Sequence, residues 1–131
     1  MKSSRIIIFI ILISMMISVV ACEVNSYTAI GLVRITKDNY CETSFIRLDG
    51  QLVFTPRFNN GSEGQIHYVA HLDEGEINVY YEGSVDKKLL LFNIKAGESI
   101  DSYGGYIEKG KQRIIIETLS PAKGKISLEF I

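Results

Sequence analysis

The sequence predicts an all-β fold, a single antiparallel, jelly-roll-like β-sandwich of about eight strands behind a cleaved apolar leader. Three observations predict it. After residue 22, apolar and polar side chains alternate with period two, and no stretch sustains a helical period. Turn signals built on Gly, Asn and Asp recur about every ten residues, the spacing of short antiparallel strands rather than of βαβ units. The length of 131 residues gives room for one domain, and the 110 residues left without the leader can enclose a core of their own.

The strands follow in chain order. Residues 27–36, 43–48 and 51–55 are the first candidates. Asp49-Gly50 is a strong turn dipeptide between the second and third, and Pro56 ends the third, because proline cannot donate to a central ladder. Asn60-Gly61 is another turn signal; the following Ser62 completes an N-glycosylation acceptor pattern, read here as part of the turn. In residues 65–72, Gln65, His67, Val69 and His71 share one face, and Ile66, Tyr68, Ala70 and Leu72 the other. Asp73-Glu74-Gly75-Glu76 predicts a reversal, with Ile77, Val79 and Tyr81 matching Leu72, Ala70 and Tyr68 across a hairpin.

Residues 87–94 form the next candidate, with Leu90, Phe92 and Ile94 on the core face, and Lys95-Ala96-Gly97-Glu98 turns the chain. Tyr103 and Tyr106 flank Gly104-Gly105 in an expected loop. Residues 112–119 contain Ile114, Ile115 and Ile116 in succession, as in a strand covered on both faces. Ser120-Pro121-Ala122-Lys123-Gly124 is a turn signal before the last strand. There Ile126, Leu128 and Phe130 alternate strictly with Lys125, Ser127 and Glu129, so one face is wet and one is buried.

The leader divides the chain into residues 1–21, a signal peptide; 22–26, a short tether; and 27–131, the sandwich. Lys2 and Arg5 precede a run from Ile6 to Val20 that only Ser14 and Ser18 interrupt. A basic start, an apolar stretch and a small residue at its end make an export signal, and the run is short for a permanent span. Val19-Val20-Ala21-Cys22 resembles the lipobox of bacterial lipoproteins, with Val19 where that family most often has Leu. The resemblance implies a diacylglyceryl group on the Cys22 sulfur, cleavage before it, and a chain held to the extracytoplasmic face of the cell membrane. Two acyl chains suffice for a stable tether, because each buried methylene contributes about 0.8 kcal/mol. Under ordinary cleavage Cys22 would instead be an unmodified N-terminal cysteine, free to pair with Cys41 in an oxidising compartment.

Without the leader, 12 basic and 15 acidic side chains leave a net charge of −3. A weakly acidic chain with scattered lysines does not draw phosphate backbones, which argues against nucleic acid as a partner. From residue 75 onward, Gly75-Glu76-Ile77-Asn78-Val79-Tyr80-Tyr81, Leu89-Leu90-Leu91-Phe92, Gly97-Glu98, Gly110-Lys111-Gln112-Arg113-Ile114-Ile115-Ile116-Glu117 and Gly124-Lys125-Ile126-Ser127-Leu128-Glu129-Phe130 resemble a loose group of small lipoproteins from low-GC Gram-positive bacteria. They are also similar to carbohydrate-binding and pre-peptidase C-terminal β-sandwich modules. The resemblance covers about half of the exported chain. It implies a sandwich and carries no chemistry with it.

Candidate chemistry is sparse. His67 and His71 have a metal-pair spacing on a helix, but on a strand they stand about 13 Å apart and cannot share an ion. Asp73, Glu74 and Glu76 form an acidic turn with no second cluster to complete a calcium shell. No nucleophile elbow, phosphate loop or Cys-x-x-Cys is present, so no catalytic, metal or cofactor residue is assigned. Exposed tyrosines, with Tyr80 facing away from Tyr81, suit sugar stacking or protein contact. The functional expectation is a tethered, non-catalytic module that binds an envelope protein or a glycan, saccharide or peptidoglycan. A small exported enzyme is the remaining alternative.

Overall fold

The computed structural model describes residues 25–83 and 87–131, and Cys22 with the leader lies outside them. Seven strands account for most of the described residues: β1 Ser26–Ile30, β2 Val33–Lys37, β3 Tyr40–Phe54, β4 Arg57–Glu82, β5 Leu89–Lys95, β6 Ser99–Lys111 and β7 Arg113–Phe130. All pairings are antiparallel, in the order β1-β3-β7-β4-β5, with β2 also on β3 and β6 also on β4.

The three long strands β3, β4 and β7 bend together. Register shifts mark the bend at residues 45–51 of β3 and 72–77 of β4, where β7 passes residues 117–124. Bulges of this kind sharpen the local twist and turn a strand without ending it. The bend divides the sheet into two halves. The first holds β2, residues 40–45 of β3, 124–130 of β7, 66–72 of β4 and 99–104 of β6. The second holds β1, residues 48–54 of β3, 114–122 of β7, 76–82 of β4 and β5.

The two halves enclose one core. Ile66, Leu72, Ile126, Leu128 and Phe130 from the first half and Leu52, Phe54, Ile77, Val79, Ile94, Ile114 and Ile116 from the second belong to a single buried cluster. Tyr68 stacks on Phe92 across the gap, ring centroids 4.7 Å apart, and Arg34 lies 4.5 Å from the Phe54 ring centre. Glycine is required where the bend brings backbones together. Gly75 has φ +84°, and a Cβ there would overlap the Pro121 carbonyl oxygen; a Cβ at Gly124 would overlap that of His71.

The all-β sandwich expected from the sequence is present, with the last strand burying Ile126, Leu128 and Phe130 and all three of Ile114, Ile115 and Ile116 covered. The turn at residues 95–98 is real, with Gly97 at φ +84°. Several expected turns are corrected. Asp49-Gly50, Asn60-Gly61, residues 73–76, Tyr103 to Tyr106 and residues 120–124 all lie inside strands; three pairs of expected strands merge, residues 27–36 divide into β1 and β2, and β6 is added, which gives seven strands among the described residues in place of about eight. The expected hairpin is one continuous strand: Leu72 faces Gly124 of β7, and Ile77, further along β4, faces Thr118. Because β7 stays alongside, the glycine and its bulge bend β4 where an isolated hairpin would reverse it. Leu90 is not in the core but 54% exposed, because a bulge opposite Val79 and Tyr80 switches the alternation of β5.

Candidate functional site

The outer face of the first half collects the polar side chains that the period-two pattern turns away from the core. Register sets them in rows across β3, β7, β4 and β6. Tyr40, Glu129, His67 and Tyr103 make one row; Glu42, Ser127, Val69 and Asp101 the next; Ser44, Lys125, His71 and Ser99 the third. Four strands at about 4.8 Å spacing make this face about 14 Å wide from β3 to β6. A groove of about 470 Å³, lined by Tyr40, Glu42, Val69, His71, Asp101 and Lys125 among others, occupies it. That volume falls among those of small-ligand sites. A second hollow of about 270 Å³ adjoins it at His71, Asp73, Lys123 and Lys125.

One wall is a fixed ionic pair. Lys125 Nζ lies 2.6 Å from Glu42 Oε1, and the Tyr40 hydroxyl donates to Glu42 Oε2 at 3.0 Å. The hydrogen bond from Lys125, then that from Tyr40, holds the Glu42 carboxyl below the usual range. Tyr40 moves the other way, raised by burial and by its bond to Glu42. With the folded value of Glu42 below its unfolded one, the pair's contribution is present above the ordinary carboxylate value and is lost as pH falls through the folded value.

The histidines stand apart on this face, as the strand reading requires, and of the two His71 lines the groove. His71 Nε2–H donates to Asp73 Oδ1 at 2.9 Å, and the Ser99 hydroxyl donates to Nδ1 at 2.6 Å, in the tautomer that satisfies both. The connectivity is Ser-His-Asp, but through the opposite ring nitrogens from those of serine hydrolases. His71 and Asp73 are each 53% exposed, where an oxyanion would lack the dry, preorganised surroundings that stabilise it. The three groups are a polar clasp between β4 and β6. His67 Nε2 lies 2.7 Å from Asp101 Oδ1, its Nδ1 lies 3.8 Å from Glu129 Oε2, and its ring stacks on Tyr103 with centroids 4.4 Å apart. Tyr103 is 55% exposed, so it stands at the β6 edge as an aromatic surface backed by an imidazole.

Other residues singled out in the sequence go elsewhere. Cys22 lies outside the described residues. Cys41 is buried, and desolvation pushes its thiol up to about 12, so it is an inert core residue. Asp73 serves His71, and Glu76 accepts from Asn93 at 3.0 Å, so the acidic residues are drawn to different partners. Among the described residues no group of three or more His, Cys, Asp and Glu side chains is placed to hold a metal. Tyr80 does face away from the buried Tyr81, on the outer face of the second half, but Lys88 Nζ sits 4.3 Å from its ring centre and 3.6 Å from Glu117. Tyr106 is exposed, and a hydrogen bond with Glu63 raises its hydroxyl.

Sequence reasoning missed Tyr40, Glu42, Asp101 and Lys125. Each alternates polar-outward on its own strand, and that signal was available. That they meet on one face follows only from long-range pairing of β3, β7, β4 and β6.

The comparison with protein families finds no match, and neither does that with curated proteins. Among solved structures, the pre-peptidase C-terminal domain of a collagenase from Bacillus anthracis is similar at 19% identity and a TM-score of 0.48, over 74% of this chain and 91% of that one. A family 29 carbohydrate-binding module complexed with mannohexaose is similar at 13% identity and 0.42, over 82% and 79% of the two chains. A structure described as CBM4 matches at 13% and 0.42, over 83% and 78%. Likeness at this level concerns architecture and leaves activity open.

Proposed function

We propose that this chain is a lipid-tethered, extracytoplasmic binding module whose ligand is a saccharide, held in the groove across β3, β7, β4 and β6. One observation carries the reading: the face that holds a groove lined by Tyr40 and by carboxylate, hydroxyl, imidazole and ammonium groups also presents exposed Tyr103, in the same row as Tyr40, at its β6 edge. Sugars combine apolar ring faces with hydroxyls that both donate and accept, and this set offers a stacking ring and both hydrogen-bonding roles. The width of the face suits a short chain of sugars, peptidoglycan strands included, better than a single ring. The test is binding of wild-type and Tyr103→Ala protein to a glycan panel containing soluble peptidoglycan fragments. Loss of the stacking ring is expected to weaken binding about two- to tenfold. Equal affinity of both proteins, or no binding to any glycan, contradicts the reading.

The tether rests on the lipobox-like end of the leader and on the few residues separating Cys22 from β1. Asn25 Oδ1 accepts from Val53 N–H at 2.8 Å, which fixes the start of the folded part beside β3. In cells, Cys22→Ser is expected to abolish incorporation of labelled fatty acid and to leave precursor or released protein. Labelling that persists in the variant removes the tether from the proposal.

A further inference from the structure

We infer that His67 is a positioning residue whose protonation sets the Tyr103 ring, and so tunes the aromatic edge of the proposed binding face between acidic and alkaline conditions. His67 is three-quarters covered, its side chain 24% exposed, and it is held from three directions. From β6, Asp101 faces Nε2 at 2.7 Å and Tyr103 stacks on the ring; from β7, Glu129 faces Nδ1 at 3.8 Å. Along β4 itself the next outward titratable group is His71, engaged by Asp73 and Ser99. On β3, beyond Glu129 in the same row, stands Tyr40, bonded to Glu42, whose other oxygen holds Lys125.

A neutral imidazole carries one N–H. Placed on Nε2 it serves Asp101, and the Nδ1 lone pair then points toward the Glu129 carboxylate. A protonated ring donates on both sides. It draws Glu129 in, keeps Asp101, and presents a positive charge to the face of Tyr103, which attracts it. Acid therefore closes the Asp101–His67–Glu129 clamp beneath Tyr103, and alkali releases the Glu129 side.

The geometric claim stands apart from the ligand; its effect on affinity rests on the saccharide reading above. The test is a pH titration of the full chain in detergent micelles, with histidine and tyrosine rings isotopically labelled and followed by NMR. The Tyr103 ring signals are expected to shift with the same midpoint as those of His67. The shift should vanish in His67→Gln, shrink in Glu129→Gln while His67 still titrates, and persist in His71→Gln. A Tyr103 ring that stays still while His67 titrates, or that shifts equally in His67→Gln or in Glu129→Gln, overturns the inference. Soluble peptidoglycan fragments should bind about two- to fivefold tighter at the acidic end than at the alkaline end, the range one exposed ion pair supports. Absence of binding at both ends sinks the ligand assignment and leaves the ring titration to decide the clamp.

Discussion

Phe130→Ala is expected to lose about 3–5 kcal/mol of stability, a large share of the 5–15 kcal/mol that holds a domain together. Phe130 closes β7 and is fully buried, opposite Ile66 of β4. The end of the strand is tied down on both sides. Phe130 N–H donates to Asn39 O at 2.8 Å, while Gln65 and Ile131 exchange both backbone bonds, at 2.8 and 3.0 Å. The surroundings therefore cannot collapse simply by fraying, and most of the ring's volume would remain as a cavity. Glu129→Ala, on the outer face of the same strand, is expected to change stability by no more than about 0.5 kcal/mol. Urea denaturation of both variants checks the contrast. Equal small losses would mean that β7 ends loosely and that the first half of the sheet is not closed by it.

The bend offers the second large effect. Gly75→Ala is expected to cost about 2–4 kcal/mol, the sum of a positive φ imposed on an L side chain and the overlap of its Cβ with Pro121. Gly97→Ala isolates the first part, for Gly97 has the same φ of +84° but no atom within 4 Å of the added carbon. Its cost should be about 1–2 kcal/mol. If denaturation gives equal losses at the two glycines, β4 and β7 do not pack backbone against backbone at the bend.

Much of the fold was legible in the sequence because burial imposes period two. The faces of residues 65–72 and 125–130, the doubly covered Ile114, Ile115 and Ile116, and the turn around Gly97 follow from local pattern. Turns and bends were not separable in the same way. Gly50, Gly75 and Gly124 carry the same local chemistry as hairpin glycines, and what decides between bending and reversing is whether the partner strand continues alongside. That is a property of strand pairing and not of any short window. Leu90 illustrates the companion problem: one bulge in β5 inverts the alternation of every residue before it. The outer face of the first half had the same status. His67 and Tyr103 were each noted, but 36 positions of chain separate them, and only the pairing of β4 with β6 stacks their rings.

The central claim, that the outer face of the first half is the binding surface, is tested most directly by mapping amide signals while soluble peptidoglycan fragments are titrated in. The two faces share β3, β4 and β7 but use different residues of each strand, so the map separates them. The account predicts perturbation around Tyr40 and Glu42, His67 to His71, Ser99 to Tyr103 and Lys125 to Glu129. Perturbation centred instead on Gln51, Asn78, Asn93 and Glu117, or none at saturating ligand, would contradict it.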